Sequence, residues 1–275
     1  MNDFKTKLPF ADKDLGQHFL KDDKVIQAIC HDFHKESQLI LEVGPGPGIL
    51  TKHLAQHQKP FYVFEKDARF PEILKEFVKE ENIFLGDATK IDWNEFLKEK
   101  KKTSTDKVWL VSNLPYNVSV PLFTSFLACA DIEYLTLMFQ KEVAGKILSF
   151  AQKEKDREMG SLMALAQTYF DVSLLCKVPP GAFIPPPKVD SAVLSFKRIH
   201  TPKIPLTEKN SFESFLRALF QQKRKQMGKV LKSSFAEEKI QSVLLELNID
   251  RTRRAETLSL DEVHALYLGF KGKLS

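Results

Sequence analysis

The sequence predicts an α/β protein built on an open sheet, followed by a smaller all-α segment. Short apolar runs rich in β-branched residues alternate with helical patterns through the first 200 residues. Several of those runs end in glycine or a polar side chain, as strands do where open α/β sheets bind ligands. Beyond Pro205 only helical periodicity remains. Thr201–Pro205 is therefore the boundary, with residues 1–200 as one domain and 201–275 as the other.

Residues 1–13 are polar and predict a mobile arm, followed by Asp14-Leu15-Gly16-Gln17-His18-Phe19-Leu20 and a helix from Asp22 through Ile29. His18 has no second His or Cys at metal spacing, which leaves a packed loop residue or a ligand contact. Leu39–Val43 reads as a buried strand running into Gly44-Pro45-Gly46-Pro47-Gly48, with a helix beginning at Ile49. Strand, glycine turn and helix let a cofactor approach the backbone at Gly44 and Gly46. No Lys-Ser/Thr follows, which excludes a phosphate-cradling P-loop. Phe61–Phe64 is the second strand, and Glu65 ends it 21 residues after Gly44. A carboxylate there can accept from both hydroxyls of an adenosine ribose. Asn82–Leu85 is a third strand ending in Gly86-Asp87-Ala88, where Asp87 either caps the next helix or accepts from an adenine amino group. Lys98–Lys102 reads as a solvated loop.

Val108–Val111 is the fourth strand and ends in Asn113-Leu114-Pro115-Tyr116. Pro115 biases Leu114 away from the helical region, so the chain leaves the sheet extended. An Asn amide, a backbone carbonyl and a Tyr ring at a strand end suit a planar ring carrying an exocyclic amine. The four residues alone are better described as a proline turn with a half-buried Tyr, since Asn and Pro are ordinary turn residues. A helix at Pro121–Ala130, a strand at Tyr134–Phe139, helices at Glu142–Phe150 and Ser161–Tyr169, a charged loop at Lys153–Glu158 and a strand at Val172–Val178 follow. Five prolines between Pro179 and Pro187 make a stiff connection expected to hold Phe183 out of the core, where its ring either stacks on a base or staples the loop. Ala192–Phe196 is the last strand.

Composition narrows the function. No apolar run reaches the ~18 residues of a membrane span, and residues 1–20 lack a signal peptide's apolar core. Cys30, Cys129 and Cys176 form neither a disulfide framework nor a zinc site, and suit a reducing cytoplasm. Residues 201–275 hold 14 Lys/Arg against 9 Asp/Glu, which accounts for the chain's whole net charge of +5. Two basic clusters stand there, Lys223-Arg224-Lys225 and Arg251 with Arg253 and Arg254, as expected of a surface that faces a polyanion.

Six motifs in order then carry a resemblance along nearly the whole chain. They are Leu15–Leu20, Glu42–Thr51, Gly86-Asp87-Ala88, Asn113-Leu114-Pro115-Tyr116-Asn117, Phe183 with Pro185–Val193, and Arg254-Ala255-Glu256-Thr257-Leu258. The chain resembles the ribosomal RNA adenine N6-dimethyltransferases. That resemblance implies a Rossmann-like class I methyltransferase sheet with helices on both faces. It implies S-adenosylmethionine as methyl donor, bound through Gln17, His18, Leu20, Gly44, Gly46, Glu65, Asp87 and Asn113, and no metal. The family usually has Asn where His18 stands. The resemblance further implies that Asn113 and the Leu114 or Pro115 carbonyl orient an adenine amino group, with Tyr116 and Phe183 stacking on the base. The implied substrate is 16S rRNA of the small subunit, at two adjacent adenines near its 3′ end, in the cytoplasm. The basic tail makes a monomer the expectation. A nicotinamide-dependent oxidoreductase shares the glycine loop and strand-end acid but leaves Asn-Leu-Pro-Tyr and the basic tail unexplained. The nearer alternatives are the large-subunit RNA methyltransferases of antibiotic resistance and a non-catalytic ribosome-assembly factor.

Overall fold

The computed structural model describes residues 12, 17–149, 158–222 and 224–271. The expected N-terminal arm apart from Asp12, Leu15-Gly16, Lys153–Arg157 and Lys223 lie outside the described residues. The chain forms two compact units, Met1–Ala144 with Val172–Arg198, and Gly145–Asp171 with Ile199–Ser275. The second unit thus takes in Ser161–Tyr169, a stretch that the sequence assigns to the catalytic domain.

The strands, in chain order, are β1 (Phe19–Leu20), β2 (Leu39–Val43), β3 (Phe61–Glu65), β4 (Ile83–Leu85), β5 (Val108–Asn113), β6 (Ile132–Gln140), β7 (Phe170–Val178), β8 (Phe183–Ile184) and β9 (Ser191–Arg198). The main sheet runs β4-β3-β2-β5-β6-β9-β7, with helices on both faces. Strands β4 through β6 are mutually parallel, and β9 lies antiparallel to β6. The order reverses direction between β2 and β5, so the connections leaving these two strands diverge and open a crevice at their carboxyl ends. Every residue of β2 is buried, as the unbroken Leu-Ile-Leu-Glu-Val run requires of a strand covered on both faces.

Two features of this unit were not apparent in the sequence. Lys98–Lys100 close the helix Trp93–Lys100 rather than forming a loop. Asp92 caps its first turn by accepting from the Asn94 and Glu95 amides, and the lysines meet the partial negative charge of its last turn. The second is a polar network inside the sheet. Trp109 Nε1 donates to Thr136 Oγ1 at 2.8 Å, Thr136 donates to Asp32 Oδ2 at 2.7 Å, and Ser195 donates to the same oxygen at 2.6 Å. Burial pushes the Asp32 carboxyl up, opposed by these two hydroxyls.

The glycine turn after β2 is conformationally demanding. Gly44, Gly46 and Gly48 have φ of +68°, +56° and +86°. At Gly48 an added Cβ would also stand 2.9 Å from Phe77 Cε2. Gly48→Ala is expected to lower unfolding stability by about 2 kcal/mol, from left-handed strain and the displaced ring, read as a shifted urea midpoint.

The second unit is helical, with Ser161–Tyr169, Lys209–Phe220, Met227–Leu231, Glu237–Glu246 and Leu260–Phe270 packed around Phe212, Phe215, Tyr267 and Phe270. Ser161–Tyr169 belongs here because its apolar face is buried there, and because Thr168 joins it to Leu260–Phe270. Thr168 Oγ1 lies 2.7 Å from His264 Nε2 and donates to the Ala164 carbonyl, so the histidine donates to Thr168.

Candidate active site

The crevice at the β2–β5 switch is a cavity within the first unit. Gln17, His18, Leu20, Gly44, Gly46, Glu65, Asp87, Asn113, Leu114, Pro115 and Tyr116 all line it. Motifs spread over a hundred residues converge there because parallel strands present all their carboxyl ends at one edge.

Each polar group is held in place by its own strand end. The Glu65 carboxylate folds back over the glycine turn. Its Oε2 accepts from the Gly46 amide at 2.8 Å, and Oε1 accepts from the Lys66 and Asp67 amides at 2.7 Å each. Burial pushes its carboxyl up while these amides oppose the shift. An anion with three fixed donors still has lone pairs for further hydroxyls. Asp87 takes the capping role that the sequence left open to it, and it also lines the cavity. Its Oδ1 caps the following turn through Thr89, and its Oδ2 pairs with Lys66 Nζ at 3.0 Å while facing the cavity. The Thr89 hydroxyl first, then Lys66, hold the Asp87 carboxyl well below the usual carboxylate range. Gln17 donates to Asp67 Oδ2 at 2.7 Å and accepts from Arg69, which is itself paired with Asp67.

At the end of β5, Asn113 Nδ2 donates to the His18 carbonyl at 3.2 Å, which fixes the amide and leaves Oδ1 as an acceptor. The Pro115 carbonyl already accepts from the Val118 amide at 3.1 Å. The Leu114 carbonyl has no such partner among the described residues. Of the two carbonyls the sequence offered, Leu114 is the one with both lone pairs open, and Pro115 keeps one. His18 grips Asn113 through its backbone, so a His in place of Asn leaves that contact intact. The His18 ring stacks on Tyr116, with centroids 5.8 Å apart, and Nδ1 donates to the Pro185 carbonyl at 2.9 Å. Tyr116 is further fixed by a 2.7 Å hydrogen bond between its hydroxyl and Ser191 Oγ.

Phe183 is where expectation and structure part. It is 1% exposed, packed in the core, and does not line the cavity. The proline-rich connection does not hold it out, because β8 pairs antiparallel with β1, Leu20 opposite Phe183, and draws the ring inward. It meets His18 edge-on at 6.5 Å, and so supports the aromatic wall from behind.

Sequence reasoning missed Glu42 as a site residue, although it quoted Glu42 in the glycine motif. Glu42 lines the cavity from inside β2 and is 1% exposed. Its Oε2 and the neighbouring Thr51 Oγ1 have no hydrogen-bond partner among the described residues. Burial pushes its carboxyl up to about 8, and the Glu65 charge adds to the shift. A charged residue inside an otherwise apolar strand was the available signal. A folded-state pKa raised above the unfolded one contributes stability that is full below the ordinary carboxyl range and lost as pH rises toward about 8. Glu42→Gln should therefore flatten the decline of unfolding free energy across that window by up to one proton. Identical pH slopes for the two proteins would mean that Glu42 ionises normally.

Of the six basic residues in the tail's two clusters, the structure separates two. Arg253 makes a two-point ion pair with Glu262 at 2.6 and 3.1 Å and donates to the Thr257 carbonyl, which ties it to the start of Leu260–Phe270. Arg251 pairs with Glu237 at 2.9 Å. Arg224 and Lys225 have no ion-pair partner among the described residues, and Arg254 reaches Glu256 at 3.5 Å. Lys223 is outside the described residues.

A Rossmann-like sheet with a glycine turn, a strand-end acid and Asn-Leu-Pro-Tyr at its switch point defines a methyltransferase. Comparison with known proteins gives the family. Residues 10–271 match the ribosomal RNA adenine dimethylase family, and the chain belongs to it. It is 38% identical over 257 residues to a Clostridium botulinum protein named ribosomal RNA small subunit methyltransferase A, covering 91% of this chain and 90% of that one. A Clostridium perfringens protein of the same name is 35% identical over 260 residues, covering 92% and 88%. In fold the chain is similar to a dimethyladenosine transferase from Plasmodium falciparum, with a TM-score of 0.74 at 23% identity over 92% of this chain and 97% of that one. It is also similar in fold to the 23S rRNA methyltransferase ErmE, with a TM-score of 0.65 at 21% identity over 91% and 98%.

Proposed function

We propose that this chain transfers methyl groups from S-adenosylmethionine to N6 of adenines in 16S rRNA, at two adjacent adenines near its 3′ end, taking each to the dimethyl state. The observation that carries this reading is the convergence, on one cavity, of Glu65, Asp87 and Asn113 with Leu114, Pro115 and Tyr116.

The residues fit the methyl donor. A Cβ at Gly44 would meet no protein atom within 4 Å, so the space beside that backbone is open to a ligand. The orphaned Glu42 Oε2 is a buried polar atom in the lining that a polar ligand can satisfy. Glu65 would accept from the ribose hydroxyls, Asp87 from the adenine amino group, and Gln17, His18, Leu20, Gly44 and Gly46 would frame the rest. S-adenosylmethionine supplies an electrophilic methyl group on a sulfonium sulfur.

An adenine amino nitrogen is a poor nucleophile because its lone pair is delocalised into the ring. Asn113 Oδ1 and the Leu114 carbonyl would accept hydrogen bonds from its two N–H groups and favour a pyramidal nitrogen with its lone pair aimed at the methyl carbon. Tyr116 would stack on the base once it leaves its RNA context. Positioning and fixed dipoles supply most of the rate. The second unit would hold RNA through its exposed cations. Among the described residues no helix is long and apolar enough to cross a membrane. We read the protein as a cytoplasmic monomer.

The reading is tested by incubating the protein with labelled S-adenosylmethionine and small-subunit particles that lack the modification, with large-subunit particles in parallel. Label in the small subunit alone is expected. Label only in the large subunit would move the chain to the resistance-type enzymes. Tight particle binding without label would leave an assembly factor.

A further inference from the structure

The helical unit contains a second cavity, of about 560 Å³. Three cations of the basic clusters line it, Arg224, Lys225 and Arg254, whereas Arg251 and Arg253 are turned to their own carboxylates and do not. Apolar lining comes from Leu162 and the half-buried Phe220. Two carboxylates, Glu158 and Glu256, also stand in the wall, and Glu256 sets Arg254 by its 3.5 Å contact. The nine-residue helix Ser161–Tyr169 begins at the cavity wall, and its N-cap, Gly160, has no side chain to cap the first turn. Its amides are donors for an anion.

A lone phosphate would need only a surface lysine. Cations and an aromatic ring together around an open, concave volume match a ligand with an anionic end and a flat apolar end. We propose that this cavity takes one unstacked nucleotide of the rRNA substrate, separate from the adenine that is methylated, its phosphate on Arg224, Lys225 and Arg254 and its base against Phe220. The proposal rests on the rRNA reading given above. It assigns the tail's RNA contact to a pocket instead of to diffuse charge, so that phosphate attraction is joined by stacking.

Gly160 provides the test. Its backbone is extended, with φ of −146°, and an added Cβ would meet no atom within 4 Å. Gly160→Asn and Gly160→Asp both supply an N-cap side chain and should melt at or slightly above the wild-type temperature. Only Asp brings a negative charge to the cavity wall. Binding to unmodified small-subunit particles should match wild type for Gly160→Asn and weaken about tenfold for Gly160→Asp. The slope of log affinity against log salt should also shrink by about one for Gly160→Asp. Equal binding by the Asn and Asp variants would overturn the proposal while wild-type methyl transfer stands. Wild-type protein that neither binds nor methylates the particles would remove the rRNA reading and this proposal with it.

Discussion

Replacing Asn113 with alanine is expected to slow methyl transfer by about two to three orders of magnitude, with affinity for S-adenosylmethionine changed only a few-fold. Asn113 ends β5, and its amide is fixed by donating to the His18 carbonyl. Asn113 lines the cavity, and that bond leaves Oδ1 as an acceptor. On the proposed mechanism, alanine removes one of the two acceptors that would orient the amino group. It also frees the His18 carbonyl, a modest loss because that group can meet water. The fold should therefore persist, with particle binding intact. Single-turnover transfer at saturating methyl donor, beside calorimetric titration of the donor, separates the two effects. A variant that lost donor affinity in proportion to its rate would make Asn113 a binding residue only.

Glu65→Gln is expected to weaken S-adenosylmethionine binding by about 10- to 100-fold and to lower unfolding stability by roughly 1–3 kcal/mol. The carboxylate accepts three backbone N–H groups through both oxygens. Glutamine has one acceptor atom and one donor atom in their place. Whichever way the amide turns, an N–H donor faces a backbone N–H, either that of Gly46 or those of Lys66 and Asp67. The glycine turn loses its clamp, and on the proposed reading the ribose would lose its acceptor. Transfer at saturating donor should recover most of the wild-type rate, because no group at the amino nitrogen has changed. Calorimetry of the donor and a urea melt read the two parts, and unchanged values in both would mean that Glu65 neither clamps the turn nor meets the ligand.

How much of this could be read from the chain depended on whether a feature is set by nearby residues. Leu39–Val43 and Phe61–Glu65 were legible because an apolar run ending in glycine or an acid is a local pattern. So was the common edge of the sheet, since parallel strands leave no other arrangement for their carboxyl ends. Phe183 was misjudged because its burial comes from pairing with Leu20, and nothing in the prolines around it encodes a partner so distant in the chain. The grouping of Ser161–Tyr169 with the C-terminal helices was hidden for the same reason: its partner is His264. The basic clusters were visible as charge, but charge does not say which arginines are already paired. Only the position of Glu262 reveals that Arg253 is structural. Glu42 was in plain view in its motif. Its significance is that it is buried without a partner, and burial is a tertiary property.

The most direct measurement is nucleoside analysis by mass spectrometry of small-subunit rRNA, unmodified beforehand, after reaction with the purified protein and S-adenosylmethionine. The site described here predicts N6,N6-dimethyladenosine, preceded by a transient N6-monomethyl species. With Asn113→Ala that product should form about two to three orders of magnitude more slowly. Methyl groups on a ribose oxygen or on a ring carbon would contradict it, because the paired acceptors at Asn113 and Leu114 would then have no amino group to orient, and methyl groups on a base other than adenine would contradict the adenine reading.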